Sequence, residues 1–336
     1  MDADQEKPLI ARVFAELADG QFHSGEALAD VLGVSRSAVW KAVKSLRDLG
    51  ATLHAVRNRG YRLAKASEAL APAPILASLS EDVQKRVRRL EVAWSVDSTN
   101  TVLLSRPNLP NGSSEVMLAE YQTAGRGRRG RPWLAPPGGS ICMSFSWSFR
   151  DVPEDLGALG LVIGICELRA LRKLGVTQAK LKWPNDLLVN DHKLGGILIE
   201  LRAESDGPAY VVVGVGLNVA LGGPLIEKIA ETGMAATDLV TAGLENPSRN
   251  VVAGAILDAC VRGLLEFERE GLRPFIEAWA EGDALRGRTV NIRGANGEVS
   301  RGLVRGVDLH GALLVESLDE GLKKFVSGEV SVRVDE

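Results

Sequence analysis

Prolines at positions 132, 136 and 137 constrain this chain most, because they follow a loop that otherwise suggests a familiar fold. The loop, GRGRRGR at residues 125–131, contains the G-x-G-x-x-G spacing of a dinucleotide-binding turn at Gly125, Gly127 and Gly130. That fold needs a helix beginning inside the glycines and an acidic residue about 20 positions further on. The continuation RPWLAPPGG cannot supply the helix, since proline lacks the backbone N–H and clashes with the preceding turn. No Gly-Lys-Ser/Thr follows, so a P-loop is excluded as well. What remains is a glycine loop carrying Arg126, Arg128, Arg129 and Arg131, mobile until it closes on an anion. A solvated basic loop and a second DNA contact are the competing readings.

At 336 residues the chain is long enough for two or three domains, and three textures divide it. Residues 1–66 read as helix, helix, turn, helix and hairpin, the order of a winged helix-turn-helix. Ser24 and Gly33 bracket the second helix and Ser35 opens the third. In the third, Val39, Ala42, Val43, Leu46 and Leu49 form an apolar stripe. Arg36, Lys41, Lys44 and Arg47 leave the other side, and Arg57, Arg59 and Arg62 crowd the hairpin, with Asp48 the one acid from residue 34 to 63. The net charge is −3, so such clustering, not bulk charge, would have to attract DNA. Ser35, Arg36, Lys41, Lys44, Arg57 and Arg59 are the expected DNA contacts; Trp40 lies among the basic residues of the third helix, with packing under the wing as its other reading and no base contact assigned. A helical dimerisation module with a solvated basic face is the alternative.

Residues 67–282 begin with an Ala/Pro-rich linker and mix apolar strands with helices without strict alternation, which makes the unit α+β. LKWPNDLLV, KLGGILIEL and YVVVGVGLNV follow one another through short turns and should pair antiparallel. Residues 283–336 are short strands between glycine-containing turns, the pattern of a small β-barrel of SH3-like type. Cys142, Cys166 and Cys260 are too scattered for a disulfide framework or zinc site and suit a reducing cytoplasm. The opening MDADQEKPLI lacks the charged and apolar regions of a signal peptide, and no apolar run is long enough to cross a bilayer, so a cytoplasmic protein without membrane contact is expected.

The four histidines make no metal-spaced pair, and neither G-x-S-x-G nor H-E-x-x-H occurs, which removes support for covalent hydrolase chemistry. SVDSTN, EYQTAGRGRRGRPW, KWPNDLLV, HKLGGILIE and GVGLNV, in that order, resemble the biotin–protein ligase family. With the winged helix in front, the resemblance extends over essentially the whole chain, to the bifunctional form that ligates biotin and represses an operon. No one motif is specific; their order is.

The resemblance implies an enzyme that uses ATP to make biotinyl-5′-AMP and passes the biotin to a lysine of the biotin carboxyl carrier protein of acetyl-CoA carboxylase. It further implies repression of biotin-synthesis genes, with the adenylate as corepressor driving a homodimer onto operator DNA. Ser98, Thr99, Asn100 and Gln122 match positions that meet biotin. Arg126, Gly127 and Arg128 match the loop over biotin and phosphates, and Lys193 the lysine at the carboxylate and α-phosphate. Lys193, Arg126 and Arg128 are the catalytic candidates. Arg131, Trp133, Asn185, Asn218 and Arg333 fall on the nucleotide side, and Asp186 is the candidate partner of Mg²⁺. Pro132 departs from the family form, which carries a basic residue there. Two other readings stay open: a ligand-sensing transcription factor without turnover, and a lipoate-type protein ligase.

Overall fold

The computed structural model describes residues 7–202, 209–231, 235–294, 299–317, 321–326 and 330–334. The first unit comprises α1 (Leu9–Leu17), α2 (Gly25–Leu32), α3 (Arg36–Asp48) and a hairpin of β1 (Leu53–Val56) and β2 (Gly60–Leu63). The caps are those expected: Ser24 and Ser35 accept from the amides of Ala27 and Ala38, and Gly33 closes α2 at φ 65°. Val39, Ala42, Val43 and Leu46 pack with Phe14, Leu17, Leu28 and Leu32. The wing bends at Asn58 (φ 65°) and Gly60 (φ 98°), and a side chain at Gly60 would run into the backbone of His23. His23 exchanges backbone hydrogen bonds with Tyr61 at 2.9 and 2.8 Å, which ties the start of α2 to the wing.

Trp40 does not pack beneath the wing. It is 55% exposed, and the Lys44 ammonium lies 5.8 Å from its ring centroid. Val39 and Val43 already fill the inward stripe of α3, so its neighbour at position 40 is turned outward. Phe22 is the aromatic that meets the wing, with the guanidinium carbons of Arg59 and Arg62 at 4.2 and 4.9 Å from its ring centroid.

The central unit runs α4 (Pro72–Ala77), α5 (Glu81–Gln84), β3 (Val87–Val96), α6 (Thr99–Leu104), β4 (Ser114–Gln122), β5 (Ser140–Ser148) and α7 (Leu159–Lys173). It continues with β6 (Lys180–Lys182), β7 (Asp186–Val189), β8 (His192–Arg202), β9 (Tyr210–Asn218), α8 (Gly223–Ala230), α9 (Arg249–Glu270) and α10 (Ile276–Gly282). Seven strands form one mixed sheet in the order β3-β4-β5-β9-β8-β7-β6. β3 and β4 are parallel; the other neighbours, including the expected β7-β8-β9 run, are antiparallel. Helices α7 and α9 pack together over one face, burying Val213, Val215 and Leu217 from β9. The register places Ala119, Cys142, Gly216, Gly196 and Asp186 side by side across the opposite face. A row of such small residues leaves room above the sheet. Helix α8 begins with Pro224 in its first turn.

One buried ion pair ties these parts together. Arg249, at the start of α9, donates to Glu120 of β4 at 2.8 and 3.1 Å, to the Ser140 carbonyl at 2.6 Å and to the Glu68 carbonyl at 3.0 Å. Glu120 also accepts the Leu70 amide at 2.7 Å, so the linker is held at two points. Phe14 of α1 meets Trp94 of β3 with ring centroids 5.6 Å apart, and a side chain on Gly138 would strike Phe14 and Ser67. The winged unit therefore rests on the central sheet and on the proline-rich segment.

The last strands are β10 (Thr289–Gly294), β11 (Val299–Val307), β12 (Leu313–Ser317), β13 (Gly321–Phe325) and β14 (Val330–Val334). They form an antiparallel sheet in the order β13-β12-β11-β10-β14. The expected barrel is thus an open sheet among the described residues, with β13 and β14 as its edges and residues 327–329 outside them. Its inner side shares the central core through Val290, Ile292, Val304, Leu313 and Val315. Trp183 donates its indole N–H to the Gly311 carbonyl at 3.1 Å, joining the two units. Among the described residues no helix is long and apolar enough to cross a membrane.

Glu167 of α7 lies fully buried with neither carboxyl oxygen hydrogen-bonded to a described residue, and burial pushes its pKa up to about 8 from 4.5. A raised carboxyl pKa contributes stability that is present below the unfolded value and lost as pH rises through the folded one. Stability should therefore decline between about pH 4.5 and 8. Glu167→Gln, neutral throughout, is expected to match wild type near pH 5 and to melt at least about 2 °C higher at pH 8.5 in a thermal-unfolding series.

Candidate functional site

A cavity of about 740 Å³ opens above the small-residue face of the sheet. Every residue that the sequence nominated for biotin, nucleotide or metal lines it: Ser98, Thr99, Asn100, Gln122, Arg126, Gly127, Arg128, Arg131, Trp133, Asn185, Asp186, Lys193, Asn218 and Arg333. Arg333 arrives from β14, nine strands and more than two hundred residues beyond the arginine loop that lines the same cavity. The DNA candidates lie apart, on α3 and the wing.

The floor is neutral and polar. Ser98 precedes α6, which presents Thr99 and Asn100, all three nearly inaccessible. The Thr99 amide donates to Gln122 Oε1 at 2.8 Å, and the Ser144 hydroxyl lies 2.6 Å from Thr99 Oγ1 and 2.5 Å from Asn100 Oδ1. Asn100 Nδ2 donates to Glu200 Oε2 at 2.7 Å. A side chain on Gly214 would collide with Asn100, so the bare backbone of β9 is what admits this amide.

The arginine loop closes the cavity as a small hairpin. Gly127 N–H donates to the Arg131 carbonyl at 2.7 Å and Trp133 N–H to the Gly125 carbonyl at 2.9 Å, with Arg129 and Gly130 both at positive φ. Pro132 falls where the hairpin needs no donor: Arg126 bridges it while the adjacent amides make the bonds. Arg126 donates to Thr101 Oγ1 at 2.8 Å and pairs with Glu200 at 3.0 Å. Arg128 donates to Asn185 Oδ1 at 3.2 Å, and burial, followed by the neighbouring Arg129, lowers its pKa.

Cations crowd the far end. Lys193 Nζ lies 2.5 Å from Asp186 Oδ1 and 5.8 Å from the Trp133 ring centroid. Lys182 stands in the same wall, its pKa lowered chiefly by burial and further by Lys193, Arg333 and Arg288, against the pull of Asp186. The sequence reading missed Lys182 as a site residue although it opens KWPND; nothing in the motif separates it from an ordinary strand lysine, and only the fold aims the positive charges of β6, β8 and β14 at one another.

In the wall, Asn218 Oδ1 remains without a partner among the described residues, and the Trp133 indole N–H has no oxygen or nitrogen partner there, only the Cys142 thiol beside it. The Asn218 amide nitrogen serves the Thr237 and Lys193 carbonyls, so the residue also anchors the segment beside Lys193. Unsatisfied buried polar groups in a cavity wall suit a polar ligand. No cluster of three or more metal-ligating side chains occurs among the described residues. Cys142, in the small-residue row, is buried and its thiol pushed up to about 12, which makes it inert.

Ser35 spends its hydroxyl on the α3 cap, 2.9 Å from Ser37 Oγ, while Arg36, Lys41, Lys44, Arg57 and Arg59 are exposed. Ser37, Trp40, Lys41 and Lys44 share the outward face of α3.

Three family profiles match the chain: an HTH domain at residues 12–62, the biotin/lipoate A/B protein ligase family at 92–218 and the biotin protein ligase C-terminal domain at 286–333. The bifunctional ligase/repressor BirA of Escherichia coli is 38% identical over 96% of this chain and 96% of its own length. The Bacillus subtilis protein of the same name is 31% identical, over 94% and 95%. A biotin protein ligase from Aquifex aeolicus in complex with biotin and ATP superposes with a TM-score of 0.61 at 27% identity, over 74% of this chain and 100% of that one.

A Cβ on Gly216 would lie 2.5 Å from the Trp133 ring, so the indole approaches β9 this closely only because position 216 is glycine. Gly216→Ala is expected to displace Trp133 and to weaken the binding of biotin and ATP together by at least about tenfold in calorimetric titrations. Operator-independent properties of the winged unit, such as retention on generic duplex DNA, should not change.

Proposed function

The chain belongs to the biotin/lipoate A/B protein ligase family, in the arrangement of the bifunctional ligase/repressors, and on that premise we propose that it activates biotin with ATP and transfers it to a lysine of the biotin carboxyl carrier protein. One observation carries this reading: a single cavity is neutral and hydrogen-bonding at one end, cationic at the other, with Trp133 between. Thr99, Asn100 and Gln122 suit a ureido ring, which needs neutral donors and acceptors. Arg128, Lys182 and Lys193 suit phosphates and a carboxylate.

In the first step a biotin carboxylate oxygen attacks the α-phosphorus of ATP, and the bond to pyrophosphate breaks. In the second, the carrier lysine, as a free amine, attacks the acyl carbon of biotinyl-5′-AMP, and AMP departs. Neither step needs a nucleophile from the enzyme. Lys193 neutralises charge at the carboxylate and α-phosphate once it exchanges Asp186 for them. Trp133 covers the adenylate, Asn185 holds Arg128 in place, and Asn218 sets the Lys193 backbone. Arg131 and Arg333 stand on the nucleotide side. A magnesium ion carried by the triphosphate asks the protein for one or two carboxylates beside its own waters, and Asp186, on the cavity wall beside Lys193, would supply one. It would offset phosphate charge.

The same reading assigns residues 1–66 to operator DNA, through Ser35, Arg36, Lys41, Lys44, Arg57 and Arg59, in a homodimer formed on the adenylate. Residues 67–282 form the ligase and 283–336 a C-terminal domain of SH3-like type, in a cytoplasmic protein. A lipoate-type ligase has less support, because a dithiolane gains nothing from a floor of hydroxyls and amides.

The test mixes the full chain with biotin, Mg²⁺-ATP and a biotin carboxyl carrier domain, and weighs the carrier. A gain of one biotin is expected, and Lys193→Ala should lower its rate by at least about 100-fold. Adenylate formed and held without transfer would favour a sensor; no adenylate would overturn the reading. Retention of operator-containing DNA should rise with biotin and ATP together and not with either alone.

A further inference from the structure

Glu200 of β8 stands between the two halves of the cavity's polar machinery, and no motif or profile singles it out. Its carboxylate accepts from Arg126 Nη2 at 3.0 and 3.2 Å and from Asn100 Nδ2 at 2.7 Å. We propose that Glu200 is a positioning residue that braces the arginine hairpin against the biotin-ring floor and sets which way the Asn100 amide faces. The proposal rests on the ligase reading.

Both partners present donors, so the group at position 200 must accept on both oxygens, which only an ionised carboxylate does. An amide there would satisfy Asn100 with its oxygen and then turn its NH₂ toward the Arg126 guanidinium. The amide orientation of Asn100 follows from this bond. With Nδ2 committed to Glu200 and the Leu198 carbonyl, Oδ1 is left toward Ser144 Oγ at 2.5 Å, and Ser144 in turn meets Thr99. Thr99 donates to Gln122, so one unbroken path runs from the hairpin arginine to the far side of the floor. Arg126, anchored by Glu200 and Thr101, is thereby a structural cation, which leaves Arg128, Lys182 and Lys193 to meet phosphate.

The signature is a selective one: loss of Glu200 should disturb the biotin side and spare the ATP side. In Glu200→Gln, KM for biotin and the dissociation rate of bound adenylate are expected to rise by roughly tenfold or more, with KM for ATP within about twofold of wild type and an unchanged melting temperature. Glu200→Gln and Arg126→Gln should be non-additive for adenylate dissociation, the double variant losing little beyond the worse single one. If Glu200→Gln does not fold, Glu200→Asp carries the test: it keeps the charge but cannot span both donors, and the same biotin-selective rise is expected at smaller size. An unchanged biotin KM, or an ATP KM that rises as far as biotin's, overturns the proposal. Wild-type protein assayed alongside separates the two failures. If it forms no adenylate, the ligase reading falls; if it does and the variants match it, this inference falls alone.

Discussion

The buried pair Arg249–Glu120 is the contact on which the rest of the structure depends. Burying both charges is costly, and the arrangement holds because each is matched by further hydrogen bonds. The guanidinium reaches the Ser140 and Glu68 carbonyls, and the carboxylate takes the Leu70 amide. Four segments therefore meet at one point: the linker, β4, β5 and the start of α9. Removing one partner of such a pair typically costs about 3–5 kcal/mol, comparable to the stability of a small domain. The geometry reaches further than the energy. β4 ends at Gln122 in the cavity floor, and β5 begins where the proline-rich segment returns from Trp133. The same segment receives the winged unit at Gly138, so cavity wall and DNA-binding unit share a support.

Electrostatics in the cavity is deliberately unbalanced. Lys182 and Arg128 are both depressed by burial first and by neighbouring cations next, with Asp186 the shared counter-charge. Desolvated cations facing each other interact strongly, because the low local dielectric that raises their attraction for an anion also raises their mutual repulsion. An incoming phosphate relieves both. At the opposite end Glu200, Asn100, Ser144, Thr99 and Gln122 satisfy one another, which keeps the neutral floor rigid and ready for a ring with fixed donors and acceptors.

Much of this is legible in the sequence. The α3 stripe, the serine caps, the β7-β8-β9 run and the rejection of a dinucleotide turn all rest on local rules: periodicity, capping and the geometry of proline. Trp40 follows the same rules: the helical period places it among the outward basic residues, and with the inward stripe complete it faces out and does not pack under the wing. The C-terminal unit shows a limit, since strand count and turn spacing say nothing about whether edges meet, and the described strands form an open sheet. Lys182 and Glu200 show a further limit: a charged residue on a strand acquires a role only from the groups that the fold brings against it.

The order of the three units, the capped ends of α2 and the start of α3, and the ordered motifs that mark the family follow from the sequence alone, because these depend on residues near one another along the chain. Tertiary structure alone decided that Arg126 is held by Glu200 while Lys182, Lys193 and Arg333 converge, and that a single buried arginine joins linker, sheet and helix. The physical reason is distance: these contacts join strands and loops tens to hundreds of residues apart. Their strength comes from desolvation, which only the folded chain creates.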